Sequence, residues 1–334
     1  MSEGATLPPL VPWITTISLL WLLSVIFHIK LSDTVTDSSI SVITSNVLSS
    51  FRHITFNCTA PEYRYSYAVS SPYGVSPAPY SGVFIPLYVS HNLQTVQPKI
   101  RSAVISVHGY SRGADEYFCS TMKATYPRDD TLIISPLFAQ SQLTSEEWGN
   151  NTDPDTVSVY WSTSNWMKGA NNSPHPAKYI SSFDILDSLV SLLLNTTQFP
   201  SLSSVAVSGF SAGAQMVQRY AWASSIGLTD NSFGRVRFIV SDPSSYLYLS
   251  EHRPDVTCRP FINMGVDTDA VCSNYRAPAL NETQECPGYN SWKYGTSIFP
   301  SSGYAYLAPF VNNRTAVAVN TENFLRKDVR YLLG

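Results

Sequence analysis

Charge is scarce in this chain. Only 13% of its 334 residues are Asp, Glu, Lys or Arg, the formal net charge is -3, and no run of Lys or Arg occurs anywhere. A nucleic-acid partner would need a clustered basic face to neutralise phosphates, so that class is excluded. Close pairs of cysteine at zinc spacing are also missing: Cys58, Cys119, Cys258, Cys272 and Cys286 stand far apart, and His175 and His252 have no second histidine or cysteine at ligand spacing. No metal and no cofactor is therefore expected. Fixed-period repeats and long low-complexity tracts are lacking too. What is present is apolar: 44% of the residues are hydrophobic, which suits a substantial folded core and excludes a disordered chain.

The longest apolar stretch runs from Leu10 to Ile29, interrupted by Pro12, Thr15, Thr16, Ser18, Ser24 and His28. At ~1.5 Å per residue a helix of that length nearly spans a bilayer core. Residues 1–30 are accordingly read as a signal peptide or a membrane anchor. The n-region carries Glu3 and no cation, and no Ala-x-Ala cleavage site follows, which weighs against a cleaved signal; Lys30 on the side to be translocated weighs against an anchor. Six Asn-x-Ser/Thr triplets follow, beginning at Asn57, Asn150, Asn171, Asn195, Asn281 and Asn313, the third weakened by Pro174. Together these features point to a secreted or membrane-anchored protein whose folded part is lumenal or extracellular and carries N-glycans. The cysteines are then read as disulfide partners, with the fifth either a free thiol or one whose partner is missing from this sequence.

The stretch around which the chain is organised is Val205-Ala206-Val207-Ser208-Gly209-Phe210-Ser211-Ala212-Gly213. A short apolar strand breaks at a glycine, presents a serine and passes into a helical pattern whose face carries Met216, Val217, Tyr220 and Ala221. A serine on so tight a strand-to-helix turn needs neighbours without side chains two positions before and after it, which Gly209 and Gly213 supply. Ser211 is the candidate nucleophile. The free N–H of Ala212, at the positive end of the helix, can help to hold an oxyanion. The alternative is that the two glycines merely end a strand and let a helix pack on a sheet.

Around this turn the chain alternates. After a Ser-, Thr- and Pro-rich lead-in over residues 31–82, Val83 to Val89 and the apolar Ala103 to Val107 read as strands, the second of the type buried on both faces of a parallel sheet. His108-Gly109-Tyr110-Ser111-Arg112-Gly113 follows. Leu132 to Ser135 is a further strand. Ser141 to Pro176 is a long loop whose Trp148, Trp161 and Trp166 form either a substrate wall or ordinary packing. A helix is signalled from Tyr179, capped by Ser181 or Ser182, with Phe183, Leu186, Val190 and Leu193 on one face. Val236 to Ser241 is the strand after the serine turn and ends at Asp242-Pro243. Residues 244–328 read as a cap-like insertion, and Val329 to Leu333 as a last strand. This order predicts an α/β protein with a mostly parallel sheet covered on both sides by helices.

These residues together resemble the α/β-hydrolase superfamily, and within it esterase- and depolymerase-like serine hydrolases, over about residues 83–334. The motifs that carry the resemblance are the strand ending in His108-Gly109, the helix before the elbow, and Gly209-Phe210-Ser211-Ala212-Gly213. The resemblance implies a serine hydrolase acting on a small-molecule or polymeric carboxylic ester, with Ser211 attacking the acyl carbonyl and the N–H groups of Ala212 and Tyr110 holding the oxyanion. Ser111 is a second choice for the latter donor. His108 lies inside that loop and ahead of the serine, so it does not suit the role of base. The family places its acid after the strand matched by Val329 to Leu333, and its histidine later still. Only His252 follows Ser211 in this sequence, with Asp242 as the one eligible acid, and Asp242 also reads as a turn-former before Pro243. The expectation is thus either a hydrolase whose machinery is incomplete in this sequence, or an inactive relative that serves as a binding or adhesion module.

Overall fold

The computed structural model describes residues 61–68, 83–126, 128–148, 157–173, 179–228, 231–254 and 275–333. The apolar run Leu10–Ile29, the strand-like piece near His53 and the triplets at Asn57 and Asn150 lie outside them. Among the described residues no helix is long and apolar enough to cross a membrane.

Ten strands are described: β1 (Arg64–Ala68), β2 (Val83–Val89), β3 (Ser102–Val107), β4 (Thr131–Pro136), β5 (Val157–Ser158), β6 (Ser204–Phe210), β7 (Val236–Ser241), β8 (Arg253–Pro254), β9 (Tyr275–Arg276) and β10 (Asp328–Leu332). Eight build one sheet in the order β1-β2-β4-β3-β6-β7-β10, with β5 paired to the start of β2. From β4 to β10 along that order every neighbour is parallel, while β2 runs antiparallel to β1 and β4 and parallel to the short β5. β2, β3 and β4 are buried at every position, as continuous apolar runs in a sheet covered on both faces must be. β8 and β9 form a separate two-stranded ribbon.

The helices are α1 (Ala114–Thr125), α2 (Ser145–Trp148), α3 (Ser182–Leu193), α4 (Ala212–Ala223), α5 (Leu280–Glu285) and α6 (Arg314–Leu325). In α3 the start is set by a capping box: Phe183 N–H donates to Ser181 Oγ at 3.1 Å and Ser181 N–H to Asp184 Oδ2 at 2.8 Å. Such a cap contributes about 1 kcal/mol. Burial of Phe183, Ile185, Leu186, Leu189, Val190 and Leu193 contributes about 1.5–3 kcal/mol each, so packing rather than the cap decides that this segment is helical. The helix that follows the elbow, α4, is buried at every one of its twelve positions.

Two expectations change here, and of the two readings of the tryptophans, packing holds. Arg64–Ala68 belongs not to a loose lead-in but to the sheet, because its backbone pairs with Phe84–Tyr88. The segment 244–328 is not a cap throughout. Its α6 packs on α4, with Trp222 Nε1 donating to Thr321 Oγ1 at 3.2 Å, and connects β7 to its parallel neighbour β10 as a crossover. Trp148, Trp161 and Trp166 are at most 5% exposed and belong to the core. Of the cysteines, Cys119 is in a disulfide and Cys286 is free and exposed.

At the far end of α4 lies a buried polar knot. Asp187 accepts from the hydroxyls of Tyr220 at 2.7 Å, Ser224 at 3.0 Å and Tyr306 at 2.8 Å, tying α3, α4 and the 3₁₀ turn Ala305–Phe310 together. Lys327 Nζ donates to the carbonyls of Ala221, at 2.6 Å, and Ser224. Burial holds the Lys327 ammonium down from its ordinary 10.5 to about 8. Between these values the unfolded chain binds a proton that the folded chain does not, so this group's contribution to stability rises with pH across that window. Measured by denaturant unfolding at intervals from about pH 8 to 10.5, wild-type stability should climb relative to Lys327→Met; a constant difference between the two would contradict the assignment.

Candidate active site

β6 delivers Ser211 to α4 with φ 55° and ψ -115°. A positive φ on a residue with a Cβ is costly, and it persists only where the surroundings over-determine it. Here they do. Ser211 N–H donates to Ser241 O at 3.1 Å, and its carbonyl accepts from Gln215 N–H at 3.1 Å, so both sides of the strained residue are tied. A Cβ on Gly209 would stand 2.3 Å from the carbonyl carbon of Gly213, and one on Gly213 would stand 2.3 Å from Val107 O and 2.7 Å from His108 O. Backbone fills both spaces. The two glycines of the motif are therefore contact points, the first pressing strand against helix and the second pressing helix against the end of β3.

That second contact brings the loop after β3 beside the serine. Tyr110 sits on its turn with a 70% exposed side chain, closed by Arg112 N–H donating to Gly109 O at 3.1 Å. Among the described residues neither the Tyr110 N–H nor the Ala212 N–H has an acceptor. Tyr117 supports the loop from below: its hydroxyl is bonded to the backbone of Gly109, and burial pushes it up to about 12.

His108 is fully buried. Its Nε2 accepts from Phe138 N–H at 3.0 Å, which makes it the neutral tautomer with the proton on Nδ1, donated to Gly109 O at 2.9 Å. Burial lowers it from 6.5 to about 4. Its ring lies edge-on to Trp166, 4.7 Å between centroids, and Trp166 stacks on Phe138 at 5.3 Å and 9°. With both nitrogens occupied and no charge to give, His108 is a pin for the loop. A second pin is Arg112, in the left-handed region at φ 62°, whose guanidinium donates to the carbonyls of Phe138 at 2.6 Å, Ala139 at 2.7 Å and Thr163 at 2.8 Å. Phe138 is held through its N–H by His108 and through its C=O by Arg112.

Asp242 and His252 are not brought together. Asp242 is exposed with φ 49° and extends the sheet by donating its N–H to Leu332 O at 2.9 Å, which is the geometry of a turn-former. His252 is exposed, its N–H donating to Ser250 Oγ at 3.3 Å. No hydrogen bond or ion pair joins either side chain to the other or to Ser211. Sequence reasoning missed Arg112 and Phe138. A cation in the otherwise uncharged His108–Gly113 loop was the only available signal, and its acceptors lie 26 to 51 residues away. It missed as well the polar face of α4, where Gln215 Oε1 accepts from Ser245 Oγ at 2.7 Å and Gln218 Oε1 from Leu247 N–H at 2.8 Å.

The sheet order, the antiparallel second strand and the strand–serine–helix elbow are those of an α/β-hydrolase fold. No protein-family model and no curated protein matches the chain. Among solved structures it is similar to poly(aspartic acid) hydrolase-1 from Sphingomonas sp. KT-1, at 14% identity over 81% of this chain and 71% of that one with a TM-score of 0.41. It is similar to the poly(3-hydroxybutyrate) depolymerase LpqC from Bordetella parapertussis at 13% identity, 81% and 83% coverage and a TM-score of 0.37, and to esterase Est22 at 10% identity, 98% and 88% coverage and a TM-score of 0.36.

Two measurements probe this construction. Gly213→Ala forces a methyl group into two backbone carbonyls and should cost about 3 kcal/mol of unfolding free energy, read from the denaturant midpoint; a cost near zero would mean the elbow is not packed as described. Because His108 is held at about 4 against 6.5 when unfolded, its contribution is complete above pH 6.5 and is lost as pH falls toward 4. His108→Gln should flatten that part of the stability profile, and an unchanged acid limb would remove His108 as its cause.

Proposed function

We propose that the protein is a serine hydrolase that cleaves a carboxylic ester. The observation that carries this reading is Ser211 itself, held at positive φ between Gly209 and Gly213 with the N–H groups of Ala212 and Tyr110 lacking acceptors beside it. Strain of that kind is retained where it serves a site, and a hydroxyl presented at a helix N-terminus next to free backbone donors suits attack on an acyl carbonyl. The Ser211 Oγ would add to the carbonyl carbon as its proton passes to a base, the former carbonyl oxygen would take the negative charge between the two N–H groups, and collapse would return that proton to the departing alkoxide, releasing the alcohol and leaving an acyl-serine that water then hydrolyses. The two pins on Phe138 keep the Tyr110 donor in place without reorganisation. The reading assigns to this chain the nucleophile and the oxyanion site, and leaves Asp242 and His252 as candidates for acid and base on sequence grounds only.

The lack of a hydrogen bond or ion pair from the Asp242 or His252 side chain to Ser211 favours a second reading, in which the same elbow persists in an inactive, hydrolase-shaped binding or adhesion glycoprotein. For either reading we propose the secretory pathway and N-glycans. Asn281 and Asn313 are exposed, as is Asn195. Asn171 is built into the fold instead, its Oδ1 accepting from Ala305 N–H at 2.9 Å and the hydroxyl of its triplet's Ser173 bonded to Ser162.

A fluorophosphonate probe separates the two. Covalent labelling of the full chain that is abolished in Ser211→Ala, together with hydrolysis of a p-nitrophenyl ester lost by a factor of about 10³ or more in the same variant, is the expected result. A folded wild-type protein that neither labels nor turns over any ester supports the binding module and removes the hydrolase.

A further inference from the structure

Pro300-Ser301-Ser302-Gly303 is a turn sequence, and Gly303 takes the left-handed φ of 73° that favours glycine. The turn is held on both sides of Tyr304: Asn171 N–H donates to Gly303 O at 2.8 Å, and Ala305 N–H donates to Asn171 Oδ1 at 2.9 Å. Asn171 also bridges to Ser181, the cap of α3, so the turn is fixed to a helix packed in the core. Between them lies a cavity of about 390 Å³, within the roughly 300–1,000 Å³ usual for small-molecule sites. Tyr179, 54% exposed, and the partly buried Tyr304 bring aromatic rings to it; Ser301, Ser302 and Asn171 bring polar groups, and no charged side chain lines it. Tyr306, two residues on, has its hydroxyl tied to Asp187 at 2.8 Å. The Tyr304 hydroxyl and the Asn171 Nδ2, by contrast, have no partner among the described residues.

We propose that this cavity binds a neutral sugar, of the size of a mono- or disaccharide. A pyranose has an apolar C–H face that suits a tyrosine ring, and hydroxyls around its rim that both donate and accept. The cavity offers the same combination: two tyrosine rings, three hydroxyls that can donate or accept, and an amide N–H₂ that can donate. An ionic ligand would find no counter-charge in the lining. A hydrocarbon chain would cover the Tyr304 hydroxyl and the Asn171 amide without meeting either, which costs the desolvation of both. Asn171 holds the turn in place through its backbone and its side chain, so binding has little loop ordering to offset. The site involves no part of the elbow at Ser211 and stands under either reading of the function.

The test uses the full chain and the methyl glycosides of glucose, galactose, mannose, xylose and N-acetylglucosamine, with binding read by saturation-transfer NMR and titration calorimetry. At least one should bind with a Kd in the millimolar range or below. Tyr304→Phe removes only the hydroxyl and should weaken that binding about fivefold, and Tyr179→Ala should weaken it about tenfold. Ser302→Trp, on the exposed turn, fills the cavity from outside and should abolish binding even where a tyrosine variant does not fold. Because the ligand is uncharged, about 0.5 M salt should leave the Kd unchanged. Repeating the titration after enzymatic removal of N-glycans separates two sources of the sugar: affinity that appears only then assigns the cavity to the chain's own glycan, and unchanged affinity assigns it to a free saccharide. The proposal is overturned by the absence of glycoside binding in both preparations, by binding indifferent to the three substitutions, or by decanol binding where no glycoside does.

Discussion

Everything about the candidate site depends on one close approach of backbone to backbone. The first turn of α4 rests on the last residues of β3 with no room for a methyl group between them, and Gly209 lies as tightly against Gly213. Closing that distance does three things at once. It forces Ser211 into the left-handed region and makes the loop after β3 the immediate neighbour of the helix start. It also leaves the Ala212 N–H and the Tyr110 N–H without acceptors among the described residues. A strand–helix junction relaxed by about an ångström would accommodate alanines, and would lose the strain and the juxtaposition together.

The loop that meets the elbow is held by means suited to a chain with few charges. Arg112 and Lys327 are satisfied by main-chain carbonyls, and Arg219 by a carbonyl and neutral side chains. The ion pairs among the described residues, such as Arg128 with Asp130 and Arg276 with Glu282, are partly exposed and each contributes about 0–1 kcal/mol. A carbonyl does not titrate, so the clamp of Arg112 on Phe138 is insensitive to pH. The pH-sensitive part of the loop is His108, which burial keeps neutral and which therefore serves best where it is uncharged. Its ring is boxed by Phe138 and Trp166, so the long aromatic loop acts on the site from beneath, by packing, and not as a wall for the substrate.

The same helix that starts at the serine is a hub for the rest of the molecule. Its outer side binds residues 244–247 through Gln215 and Gln218, the backbone at Lys293 through Arg219, and α6 through Trp222. The segment after β7 is thereby anchored one and two turns from Ser211.

The elements legible in the sequence were those whose physics is local. β7 was readable at both ends, and β3, β4, β6 and β10 to within one or two residues, because continuous apolar runs fit only a doubly covered sheet. The turn at Ser211 was readable because two glycines four apart are needed by nothing else so strictly. Helix α1 went unread because its amphipathic face is weak and mixed, with Thr121 and Thr125 among its buried residues. The α6 crossover was hidden because its sequence buries only Phe324. The sequence by itself determined that Ser211 stands on an elbow of an α/β sheet, since that follows from steric limits within a few residues. Only the tertiary structure decided that His108 is a neutral pin, that Arg112 clamps Phe138 and that no hydrogen bond joins Asp242 to His252. Each of these is a contact between segments distant in the chain, and the partner of a hydrogen bond or a charge is not written in the residues beside it.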